Sequence, residues 1–97
     1  MITHIFMLKL ADGATDDQVQ HFADGLDELV PQLDMIRGYR HGRDVGIRDD
    51  TWDYAVVADF DSVEDYLAYA SHPLHIELGV NRSRPIIGES VRVQIET

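Results

Sequence analysis

No cysteine occurs among these 97 residues, which removes disulfides, thiolate metal centres and cysteine nucleophiles from consideration. Positive charge is scarce too: eight Lys and Arg stand against eighteen Asp and Glu, a formal net charge of -10. That balance repels polyanions, so nucleic acid and anionic membranes are poor partners. No apolar run approaches the roughly 20 residues of a membrane span, and the N-terminus shows no basic leader region. The first apolar stretch is interrupted by His4 and ends at Asp12, so a cytoplasmic location is expected. There is no Gly-x-Ser-x-Gly elbow and no phosphate-binding glycine loop; the seven glycines are scattered.

What is present fits one domain, residues 1–97, with a modest core that leaves apolar surface for a second copy to cover. Residues 2–10 alternate: Ile2, His4, Phe6, Leu8 and Leu10 share one face, with Ile5 and Met7 on the other. Thr15-Asp16-Asp17-Gln18 has capping-box spacing, and Val19, Phe22, Ala23, Leu26, Leu29 and Val30 form an apolar stripe that predicts a helix ending near Pro31. Tyr39 to Val45 reads as a polar strand, Gly46 to Thr51 as a loop, and Trp52 to Phe60 as a strand. Ser62 caps a second helix over Val63–Ser71, with Val63, Tyr66, Leu67 and Ala70 expected inside and Tyr69 at the edge of that stripe. Leu74 to Leu78 reads as a short irregular or helical piece, residues 82–88 as an arm, and Ser90 to Thr97 as the last strand.

The order strand, helix, strand, strand, helix, strand predicts an α+β, ferredoxin-like split βαβ domain: a four-stranded antiparallel sheet with two helices on one face. An apolar open face would pair two sheets into a dimeric α/β barrel, leaving a cavity in each protomer between sheet and helices.

Two features point to chemistry. Tyr69-Ala70-Ser71-His72-Pro73-Leu74-His75 places three proton-moving groups beside a helix-breaking proline, and His4 is an imidazole in an apolar strand that requires a partner or a role. These blocks, with His4-Ile5-Phe6-Met7-Leu8-Lys9, Gly42-Arg43-Asp44-Val45 and Phe60-Asp61-Ser62-Val63-Glu64, resemble the stress-responsive dimeric α/β-barrel (Dabb) family over nearly the whole chain. The resemblance implies chemistry like that of a plant member, the polyketide cyclase that makes olivetolic acid: an intramolecular aldol condensation without a cofactor. By position it implies His75 as base, with Tyr69 and His4 as donors. It also makes Leu26, Tyr54, Val56 and Leu78 substrate-binding candidates, Leu26 standing where the plant cyclase has a tyrosine and Tyr54 where it has a histidine. The region around Pro85 lacks that enzyme's tryptophan.

On physical grounds a neutral imidazole, with a pKa near ~6.5, can take the acidic proton between two carbonyls, and a phenol can hold the enolate. Competing readings make His72 a backbone cap, His21 and His41 surface residues, and Tyr39, Trp52 and Tyr54 core or dimer contacts. His4, His72 and His75 as zinc ligands form a weaker pattern, because Glu77 is the nearest carboxylate in sequence. The functional alternatives are therefore a cofactor-free cyclase on a poly-β-carbonyl substrate, a non-catalytic dimeric stress-associated protein holding a small hydrophobic ligand, and a cofactor-free monooxygenase.

Overall fold

The computed structural model describes all 97 residues. Strand β1 spans Ile2–Leu10, helix α1 Asp16–Leu29, β2 Gly38–Arg43, β3 Tyr54–Phe60, α2 Val63–Ala70, α3 Pro73–Leu78 and β4 Ile87–Glu96. The sheet is antiparallel throughout, in the order β2-β3-β1-β4. This is the ferredoxin-like α+β arrangement, with β3 and β1 at its centre.

Local chemistry explains the boundaries. The capping box at α1 is complete: the Gln18 amide donates to Thr15 Oγ1 at 3.2 Å and the Thr15 amide donates to Gln18 Oε1 at 2.9 Å. Asp16 and Asp17 occupy the first turn, where the helix dipole favours negative charge. Pro31 then converts the end of α1 into a 3-10 turn, Val30–Gln32. Ser62 Oγ accepts from the Asp65 amide at 3.1 Å to start α2. Pro73 holds His72 in an extended conformation and itself begins α3, whose Leu74 amide donates to His72 Nδ1 at 3.1 Å. His72 is thus a helix cap.

The core lies between the sheet and the helices. Leu8, Val19, Phe22, Leu26, Tyr54, Val56 and Ile86 form one cluster; Leu29, Leu33, Ala58, Phe60 and Tyr69 form a second. The opposite sheet face carries Ile5 and Met7 of β1 beside Val57 and Ala55 of β3 and Val93 and Val91 of β4.

Four expectations need correction. The second strand stops at Arg43, leaving Val45 exposed in the loop, and the third begins at Tyr54 rather than Trp52. The last strand begins at Ile87, because the segment before it is wound into a π turn, Gly79–Ser83, and a 3-10 turn, Arg84–Ile86. In α2 the side chain at the centre of the buried face is Tyr69, 3% exposed, while Val63 and Leu67 are 53% and 56% exposed. Residues two positions apart on a helix are rotated by about 200°, so seating Tyr69 on the sheet turns Leu67 outward.

Candidate active site

The first strand brings His4 to the helix side of the sheet, where it is 6% exposed and lies opposite Ala58 of β3 and Gln94 of β4. Helix α2 lowers Tyr69 onto the same face, and the turn at Pro73 swings His75 back beneath it. The rings of Tyr69 and His75 are 4.3 Å apart at their centroids, and those of His4 and Tyr69 are 6.2 Å apart. All three line a cavity of about 600 Å³, together with Leu26, Val56 and Leu78. A volume of this size lies within the usual range for small-molecule sites.

Tyr54 does not join them. Its hydroxyl lies 2.6 Å from His41 Nδ1, on a smaller hollow beside α1, and Phe22, packed edge-on against Tyr54, lines the cavity instead. His41 is likewise no surface residue: its side chain is 13% exposed, and its Nε2 lies 2.7 Å from Asp27 Oδ1. The Asp27-His41-Tyr54 chain ties α1 to β2 and β3.

The hydrogen bonds assign the tautomers. A carbonyl only accepts, so the 3.2 Å contact between His75 Nδ1 and Ala70 O places the proton on Nδ1. In the neutral ring the lone pair is then on Nε2. For His4 the order is reversed: the Gln94 side-chain amide donates to Nδ1 at 2.9 Å, so the ring proton sits on Nε2. No fully buried side-chain nitrogen or oxygen lacks a partner, so each Nε2 reaches open space rather than sealed core.

Burial and neighbouring charge keep both imidazoles neutral. His4 is pulled down to about 4, first by burial, then by His75 and Arg92. His75 is lowered by burial and by His72, against the opposing hydrogen bond to Ala70. Burial raises the Tyr69 phenol, and its hydroxyl lies 2.9 Å from that of Tyr39, which burial and Tyr69 also raise. At neutral pH the site therefore offers an unprotonated nitrogen base beside protonated donors. His4, His72 and His75 form no metal-holding cluster with one another or with acidic side chains.

The model of the stress-responsive A/B barrel domain matches residues 2–96. The chain belongs to that family. A stress-response A/B barrel domain-containing protein of Arabidopsis thaliana is 30% identical over 77 residues, covering 76% of this chain and 67% of the plant protein. A dimeric ferredoxin-like protein of unknown function from Thermobifida fusca superposes with a TM-score of 0.92 at 31% identity, over 99% of this chain and 90% of that one. The hydroxynitrile lyase of Passiflora edulis shares the fold, with a TM-score of 0.83 at 19% identity over 97% of this chain and 90% of its own.

Tyr39, Tyr66, Arg84 and Arg92 also line the cavity of this A/B barrel domain. Tyr39 was legible in part, since its alternation with His41 puts both on one face of β2. Arg92 was not, because only the register of β4 against β1 sets it opposite Phe6. No helix is long and apolar enough to cross a membrane.

Proposed function

We propose that this protein is a cofactor-independent cyclase-like enzyme that closes a poly-β-carbonyl chain by intramolecular aldol condensation, and that it works as a homodimer. The observation that carries the reading is the His75 ring on the wall of a largely apolar cavity next to Tyr69, its Nδ1 engaged by Ala70 O so that the lone pair is left on Nε2. His75 takes the proton from a carbon between two carbonyls. The enolate oxygen receives hydrogen bonds from the Tyr69 hydroxyl and His4 Nε2–H. The enolate carbon then forms a bond to a distal carbonyl carbon, the resulting alkoxide takes the proton back from His75, and loss of that hydroxyl with a proton from the adjacent carbon, as water, completes the condensation. General base catalysis of this kind contributes ~10²–10⁴-fold, and each positioned donor adds to it.

The dimer is supported by the apolar outer sheet face and by the dimeric Thermobifida fusca relative. The test is hydrogen–deuterium exchange at the acidic carbon of a linear tetraketide, supplied as the free acid and as a thioester, in D₂O, followed by NMR, with ring closure read from absorbance. Wild-type protein is expected to accelerate both, and His75→Ala to lose about 10²-fold or more while staying folded. Equal exchange in the two proteins would sink the enzyme reading and leave a binding module.

A further inference from the structure

Eight cationic side chains serve eighteen acidic ones in this protein, and their placement is uneven. Arg37, Arg43, Arg48 and Arg82 each pair with a carboxylate. Lys9, Arg40, Arg84 and Arg92 do not, and of these four Arg84 and Arg92 line the cavity that holds His4, Tyr69 and His75. Arg92 lays its guanidinium over the Phe6 ring at 5.1 Å, and its sole polar contact is a 3.5 Å donation to Ser90 Oγ. Stacking fixes the plane of the group while leaving its donor edges free. Arg92 is opposite Phe6 across the β1–β4 ladder, two residues along β4 from Gln94, the partner of His4. Arg84 and Arg92 are both exposed, so their guanidinium edges stand where the cavity meets solvent and are open to an anion from outside the protein.

We infer that the cavity takes a carboxylate ligand, its apolar body against Leu26, Val56 and Leu78 and its carboxylate held by Arg92 and Arg84. The planar guanidinium matches a carboxylate in two parallel hydrogen bonds, which an ester or amide cannot accept as strongly. The substrate of the cyclase reaction is then a free keto acid, with its carboxylate oriented at the mouth and its acidic carbon left to His75. This rests on the proposed function only in naming the ligand a substrate.

The test is binding at pH 7, by calorimetry and NMR, of three unreactive probes: 4-phenylbutanoate, 4-phenylbutanamide and the coenzyme A thioester of the acid. The acid is expected to bind at least about tenfold more tightly than the amide. R92Q and R84Q are expected to erase most of that preference, R92K to restore part of it, and R48Q, which removes the same charge far from the cavity, to leave it intact. Equal binding of acid and amide, or no binding of the acid at millimolar concentration, overturns the inference. A thioester that binds more tightly than the acid and alone responds to the arginine changes also overturns it, in favour of a carrier phosphate. A normal acid preference with exchange independent of His75 removes the cyclase reading and keeps the carboxylate site; the reverse result removes the carboxylate site alone.

Discussion

The Tyr39 and Tyr69 hydroxyls lie 2.9 Å apart on the wall of the cavity, one carried by β2 and the other by α2. One donates to the other, and both phenols are raised, so the pair stays protonated across the neutral range. If Tyr39 donates, the Tyr69 proton is free for a ligand oxygen. Tyr69→Phe removes that donor and is expected to lower kcat by about 10²-fold. Tyr39→Phe leaves Tyr69 in place but loose, with an expected fall in kcat of roughly tenfold and little change in KM. An unchanged kcat in Tyr39→Phe would show that the pair serves packing alone.

Acid should destabilise this protein through its two cavity histidines. Both are lowered from the ordinary value, His4 to about 4, so as pH falls the unfolded chain takes up their protons first. Their contribution is complete above the unfolded value of about 6.5 and is lost as pH drops through the folded values. For His4 alone the loss is on the order of 3 kcal/mol. Urea unfolding of wild type is expected to show a midpoint well below its pH 7 value by pH 4.5. His4→Gln, which has no proton to gain there, should flatten the profile; an identical slope in the two proteins would mean that His4 is not the group responsible.

The fold was legible because its signals are local and agree with one another: period two in residues 2–10, a complete capping box at Thr15, a proline at each helix break. The site was legible only in its most concentrated block, Tyr69 to His75. Tyr39 and Tyr69 meet across 30 positions, and no spacing along the chain encodes that contact. The inside of α2 was misread for a related reason. In an eight-residue helix the apolar stripe of Val63 and Leu67 competes with Tyr69, and hydropathy ranks a tyrosine too low, although its ring buries well when its hydroxyl has a partner. Tyr54 was placed in the cavity by positional likeness, but its hydroxyl is engaged by His41 on the other side of Phe22.

Gly88 is the glycine whose replacement would press on backbone rather than on a side chain. A Cβ there would come within 3.2 Å of Leu10 O and 3.3 Å of both Ala11 Cα and Lys9 O. These are backbone atoms at the register shift where β4 meets the end of β1, and they have no rotamer through which to yield. Gly88→Ala is expected to destabilise by about 1–3 kcal/mol. In Gly42→Ala the new methyl meets nothing within 4 Å, so its unfolding midpoint should stay near wild type. Equal midpoints for the two variants would contradict the close approach.

The proposed homodimer is expected to form through the outer face of the sheet. Val91, Val93 and Ile95 are 40%, 49% and 44% exposed on β4, and Val93 stands opposite Ile5 of β1. They continue the apolar row through Val57, and a contiguous patch of this kind marks an interface, whereas scattered apolar residues do not. A charge placed there must be desolvated in the dimer but not in the monomer. Val93→Asp is therefore expected to halve the sedimenting mass to the 11.0 kDa protomer, with far-UV circular dichroism unchanged. Leu67→Asp tests the site of the effect: Leu67 is 56% exposed but lies on α2, across the protein from that face. It should leave the dimer intact. If Leu67→Asp dissociates the protein and Val93→Asp does not, the copies meet through their helices, and the face-to-face sheet arrangement is wrong.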